Sequence, residues 1–304
     1  MGESCLALVF DGGLASPVRA RQLWDWNDVV DELGFRVTGM SHQPGFVVIR
    51  AGRELAAIKA GTEDISVVLT LESASCVGTD IDRLDVLFGI GIRSMGITYS
   101  EGNALASGLS DPRDGGLTNF GRAAVHRMNK LGIIVDISHA SEQTTFDVCE
   151  VSRKPVIASH SGAKSVHPIA RNRSDDAIKA IAATGGVIAM SASPYSTVSV
   201  AHPVHTLESV MDHFEHCADL VGLEHVGFGF DTHFGDHLAW HQHWAVADDR
   251  PRQHPIDFVD GAENPAEGTA NAVRWMIAHG YSDEEIRTVC SANVFRVMKE
   301  CWPW

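Results

Sequence analysis

Nothing in the 304-residue sequence approaches the roughly 18 uninterrupted apolar residues that a bilayer-spanning helix needs, so no membrane span is expected. Positive charge is also scarce. With 24 basic against 39 acidic residues the formal charge is −15, which repels phosphate backbones and anionic lipid and argues against nucleic-acid or membrane partners. The six cysteines, Cys5, Cys76, Cys149, Cys217, Cys290 and Cys301, contain no CxxC pair. Their scatter excludes a zinc knuckle or a disulfide framework and predicts reduced, mostly buried thiols. The opening MGESCLALVFDGG has too short an apolar run, and too acidic a start, for a secretory leader. Leu6 occupies the position where a myristoylation signal carries Ser or Thr. A cytoplasmic location is the expectation. Internal repeats, low-complexity tracts and domain-splitting linkers are likewise missing, which favours a single domain.

What is present is alternation. Short apolar or β-branched runs occur at LALVF (6–10), FRVTGM (35–40), SVVLTL (66–71), IRSMGI (92–97), GIIVDI (132–137), PVIAS (155–159), GGVIAM (185–190) and HVGFGF (225–230). Such runs suit parallel strands covered on both faces. Amphipathic patterns lie between them, at 120–132, 141–152, 174–185 and 207–222, with Ser141 and Ser174 placed to cap helix N-termini. Eight strands with intervening helices predict a (β/α)8 TIM barrel, α/β and single-domain over 1–304. A His-, Asp- and Pro-rich stretch near 231–266 reads as a lid-like loop, and the end near 282–304 as a helical cap.

In such a fold the chemistry gathers where strands end. Glu72 follows SVVLTL, His139 follows GIIVDIS, His160 ends PVIASH and Asp231 follows HVGFGF. Each alone reads as a hydrogen-bonded strand-end polar group, but four at the same end of one barrel form a constellation. One carboxylate with two imidazoles is a zinc-type ligand set, and a further carboxylate suits a bridging or general-base role. Arg171, in the loop beyond His160, offers a planar fork matched to a substrate carboxylate. Arg173 fits a surface position near Asp175 and Asp176 instead.

These residues sit inside motifs that resemble the renal, or membrane, dipeptidases, metallopeptidases of the amidohydrolase superfamily. The resemblance is carried by GLTNFGRAAVHRMNKLGIIVDISHAS, KPVIASHSGA and HPIARNRSDD, and continues through GGVIAM, LVGLEHVGFGFD and SANVFRVM. It implies a (β/α)8 barrel with a binuclear zinc centre, with Glu72 as the bridging carboxylate, His139 and His160 as ligands of one metal, Asp231 as the terminal Asp and Arg171 on the substrate carboxylate. Where the family commonly has THN the sequence reads TYSEGN, which makes Tyr99 and Asn103 the expected substrate contacts. Where the family has DGHxD, it reads Asp11-Gly12-Gly13-Leu14-Ala15. Gly13 and Ala15 cannot ligate through side chains, so one zinc per chain is expected rather than two. His42, just past FRVTGM, and His233, with His237, His241 and His243 behind it, are the available substitute ligands.

Three functions remain open at this point: a zinc-dependent hydrolase of a dipeptide or small amino-acid-derived amide, a descendant of such an enzyme with non-peptidase chemistry, and a silent ligand-binding barrel. The expected partner is a small molecule carrying a carboxylate, and a homodimer is left open.

Overall fold

The computed structural model describes residues 8–11, 25–57, 65–193, 196–232 and 259–303. The chain divides into two compact units, Met1–Ala15 with Gln22–Val156 and Arg296–Trp304, and Ser16–Arg21 with Ile157–Phe295.

In the first unit the strands are β1 (Leu8–Asp11), β2 (Phe46–Val48), β3 (Ile65–Leu71), β4 (Ile92–Gly96) and β5 (Ile134–Asp136). All their pairings are parallel. The β1 strand aligns Leu8 with Val67 and Asp11 with Thr70, β2 aligns Phe46 with Ile65, and β4 links β3 to β5. Val67, Val68, Leu69 and Leu71 of β3 are buried, as are all five residues of β4 and all three of β5. Burial of each large aliphatic side chain contributes about 1.5–3 kcal/mol, which is why these runs read as mostly apolar rather than alternating. Around them lie α1 (Trp26–His42), α2 (Gly52–Ala57), α3 (Arg83–Ile90), α4 (Asn119–Leu131) and α5 (Glu142–Val151). Ser141 caps α5 as expected, accepting from the Thr144 amide.

In the second unit β6 (Val156–Ser161, begun at the last residue of the first), β7 (Val187–Met190) and β8 (Val226–Phe228) are again parallel. Its helices are α6 (Asp175–Ala183), capped by Ser174, α7 (Leu207–Val221), α8 (Pro265–Ala278) and α9 (Asp283–Arg287), and α10 (Asn293–Cys301) runs into the terminal segment.

The expected closed eight-stranded barrel is not what the strands form. The sheet order is β1-β3-β4-β5-β6-β7-β8, with β2 attached to β3 off this path. Seven strands therefore make the run, and among the described residues no pairing joins β8 to β1, which leaves the sheet open. The misreading has a local origin. FRVTGM, expected as the second strand, lies inside α1, whose buried residues Val29, Leu33 and Met40 follow a helical spacing. Asp25 starts that helix by accepting from the Asn27 amide. The strand that does occur there, β2, is three residues long and joins β3 only over Ile65–Val67.

Among the described residues no helix is long and apolar enough to cross a membrane. The segment 233–258, most of the expected lid, lies outside the described residues, as do Gly13 and Ala15.

Candidate metal and substrate site

Glu72 is the first residue after β3. Its backbone packs so closely on β4 that a Cβ at Gly96 would collide with the Glu72 carbonyl oxygen, so glycine is required there. His139 stands three residues beyond β5 in a tight turn. The Asp136 carboxylate accepts from the Ser138 amide at 2.9 Å and the Ser138 hydroxyl at 2.7 Å, and the Ala140 amide donates to the Ile137 carbonyl. This turn directs His139 Nε2 to within 2.9 Å of Glu72 Oε1, with the His139 side chain 9% exposed. The other face of the histidine is also engaged. Tyr99 stacks on its ring with centroids 4.3 Å apart, and the Ser100 hydroxyl lies 3.4 Å from Nδ1.

His160 belongs to β6, where the register against β7 slips: Ala158 pairs with Ile188 but Ser161 with Met190, three steps on one strand against two on the other. The extra residue is a bulge, which breaks strict alternation and re-aims side chains. It leaves the Ser159 hydroxyl 2.7 Å from Nδ1 of the buried His160. Burial first, and then the charges of Arg171 and Arg173, hold the His160 pKa well below the ordinary histidine value. His160 is therefore a neutral imidazole, the form that ligates metal.

The loop after β6 is anchored by its backbone. The Arg173 amide donates to the Gly162 carbonyl and the Lys164 amide to the Arg173 carbonyl, each at 2.8 Å, and the Ser161 hydroxyl donates to the Arg171 carbonyl. Arg171 brings Nη2 to 3.8 Å from Asp231 Oδ2. Asp231 has φ +58°, the only positive φ outside glycine among the described residues. Asp is one of the few residue types that visits this region, and such outliers cluster at functional sites. Arg173 corrects the surface assignment made for it: it is completely buried.

Glu72, His139 and His160 each offer one ligand atom, and these atoms all lie within 4.8 Å of one another. One carboxylate and two imidazoles, two of the three side chains buried, match a divalent metal in donor chemistry and compactness.

Two expected participants are engaged elsewhere. Asn103 donates to the Ser75 hydroxyl and the Ile97 carbonyl and accepts from the Leu105 and Ala106 amides, which fills both its donors and both acceptor positions in holding its loop. His42 is not past a strand; it is the exposed last residue of α1, with Nδ1 2.8 Å from the Thr38 carbonyl of its own helix. His233, His237, His241 and His243 lie outside the described residues. The sequence reading missed Ser100 and Ser159, whose only advance signal was their position beside Tyr99 and His160.

A parallel α/β sheet with a two-histidine, one-carboxylate cluster where its strands end defines a scaffold of metal-binding type. Residues 35–239 match the family model of membrane dipeptidase, peptidase family M19, and the chain belongs to that family. It is 34% identical over 236 residues to the dipeptidase aclJ of Aspergillus oryzae, covering 77% of this chain and 51% of that protein. The chain spans about half the length of the curated relatives it matches. An amidohydrolase from Pseudomonas aeruginosa shares the fold with TM-score 0.82 at 23% identity, over 92% of this chain and 86% of its own. A metallo peptidase from Rhodobacter sphaeroides, solved with a phosphinate mimic of the dipeptide L-Ala-D-Ala, gives TM-score 0.76 at 25% identity, over 91% and 75%.

Proposed function

We propose that the protein is a metal-dependent hydrolase that cleaves the amide bond of a dipeptide or a small amino-acid-derived amide. The observation that carries this reading is the convergence of ligand atoms from Glu72, His139 and His160 within 4.8 Å. These three side chains would hold one zinc per chain, which would supply Lewis-acid polarisation of the scissile carbonyl and of a water. Asp231 accepts the proton of the attacking water and returns it to the leaving amine, a role that cycles its carboxylate between charged and neutral forms. Its approach to Arg171 sets the proton acceptor beside the cation that binds the substrate's carboxylate. Tyr99 adds an aromatic wall to the His139 side. Membership of a dipeptidase family, and a relative that binds a dipeptide mimic, support a small substrate with a free carboxylate.

One metal rather than two is favoured by the sequence at Gly13 and Ala15, neither of which has a ligating side chain. A cytoplasmic setting is part of the same proposal and is supported by the thiols, since among the described residues Cys76, Cys149, Cys217, Cys290 and Cys301 are all free.

The test is hydrolysis of a panel of dipeptides and N-acylated amino acids by the zinc-loaded chain, alongside elemental analysis. The expected outcome is turnover that His160→Ala abolishes together with bound metal. Full metal content in that variant, or turnover that persists in chelator, would reject the proposal.

A further inference from the structure

Each of the two histidines in the metal-ligand set has a serine hydroxyl on its Nδ1. At His160 it is Ser159, at 2.7 Å, and at His139 it is Ser100, at 3.4 Å. The two serines come from different elements, β6 and the loop after β4, so one local sequence preference does not account for both. Nor does adjacency dictate the contact. Ser138 also immediately precedes a ligand histidine, yet its hydroxyl turns to Asp136 instead. At His160 the bulge between Ala158 and Ser161 removes the strand alternation that would send neighbouring side chains to opposite faces. A second close approach pins the same residue, because a Cβ at Gly229 would collide with the Ser159 carbonyl oxygen.

An imidazole ligates through one nitrogen and carries its proton on the other, and whatever bonds the second nitrogen sets tautomer and ring orientation. His139 already directs Nε2 at Glu72. We infer that Ser159 and Ser100 are positioning residues that accept the Nδ1 proton of His160 and His139, so that both rings present Nε2 to the metal, with Tyr99 fixing the plane of the His139 ring. This rests on the reading that Glu72, His139 and His160 hold a metal. Serine is a neutral acceptor, unlike the carboxylates that often fill this role, so it orients the ring without adding a negative charge. The 3.4 Å contact is at the long end for a hydrogen bond, which makes Ser159 the stronger of the two.

The experiment is zinc titration of the metal-free chain in competition with a chromophoric chelator, with thermal melting of each metal-free variant beside it. Ser159→Ala is expected to weaken zinc binding about 10- to 100-fold, the usual cost of losing such an outer contact, while the metal-free melting temperature stays at the wild-type value. Ser159→Thr, which keeps the hydroxyl, should recover most of the affinity, and Ser100→Ala should show a smaller loss than Ser159→Ala. If Ser159→Ala does not fold, Ser159→Cys carries the same test, since a thiol is a weak acceptor of similar size. His160→Ala separates the two ideas. If it loses zinc while Ser159→Ala binds within twofold of wild type, the positioning role is overturned and the metal site stands. If His160→Ala binds zinc as wild type does, both are overturned.

Discussion

At the scale of single residues the decisive contrast is between Arg171 and Arg173. They lie ten and twelve positions beyond the end of β6, and the sequence reading assigned Arg171 to a substrate carboxylate and Arg173 to the surface. Arg171 approaches Asp231, while Arg173 is buried with its backbone bonded to Gly162 and Lys164. A guanidinium fork can bind a carboxylate through two parallel hydrogen bonds, whereas an ammonium is a point charge. Arg171→Lys is therefore expected to lower kcat/KM for a carboxylate-bearing substrate by about 1.5–3 kcal/mol, roughly one to two factors of ten. The same variant should leave a C-terminally amidated analogue nearly unaffected. Equal losses on both substrates would show that Arg171 does not read the carboxylate. The residue types of the site were legible because a polar side chain at the end of an apolar strand stands out. Its partners were not, since the choice made by Ser138 and Ser159, two serines each followed by histidine, depends on a turn in one case and a bulge in the other.

Among the elements, seven of the eight expected strands occur, shifted by a residue or two at their ends, because each is an apolar run bounded by turn-forming residues. The exception shows what the pattern lacks. FRVTGM carries β-branched and aromatic residues at strand-like density, but Phe35 is 77% exposed, and the buried positions Val29, Leu33 and Met40 recur with helical period over a longer window. Long-window periodicity outweighed local propensity. The cap at Asp25 is part of that outcome, since its carboxylate takes up the Asn27 amide at 3.0 Å. Asp25→Ala should destabilise the chain by about 1 kcal/mol, lowering the melting temperature by roughly 2–4 °C. An unchanged melting temperature would mean that packing alone holds the start of α1. Open or closed sheet topology could not be read from strand count, because closure depends on which strands pair at the ends, and β2 spends its short length on β3.

For the molecule as a whole, stability is tied to pH through histidines that are buried without charge. His213 accepts the Ala163 amide on Nδ1 at 2.9 Å and donates from Nε2 to the Val198 carbonyl at 3.0 Å, so both nitrogens are committed to the neutral ring. His205 holds Nε2 against the Thr197 hydroxyl, whose own proton goes to the Ser191 carbonyl. Burial is the main cause that lowers each from 6.5 to about 4. The sign follows from which state takes up protons. Between about 6.5 and about 4 the unfolded chain binds protons at these histidines and the folded chain does not, so stability is complete above the unfolded value and falls as pH drops through this window. At about 1.4 kcal/mol per pKa unit, each histidine contributes on the order of 3 kcal/mol to that loss. The partly exposed pair of His202 and Asp212 works the other way, since its hydrogen bond raises the His202 pKa and adds stability that is present below 6.5 and lost above the raised value. Solvent screening keeps that opposing contribution small. The carboxylates held low, Asp175 and Glu285, do not offset the histidines, because a depressed carboxylate also loses stability on acidification, and does so below its ordinary value of 3.8 or 4.5. The melting temperature of the metal-free chain should therefore fall steeply from pH 7 to pH 5. His213→Gln, whose amide can accept from Ala163 and donate to Val198, should start lower at pH 7 yet decline less on acidification. Parallel declines in the variant and the wild type would show that His213 does not titrate in this window.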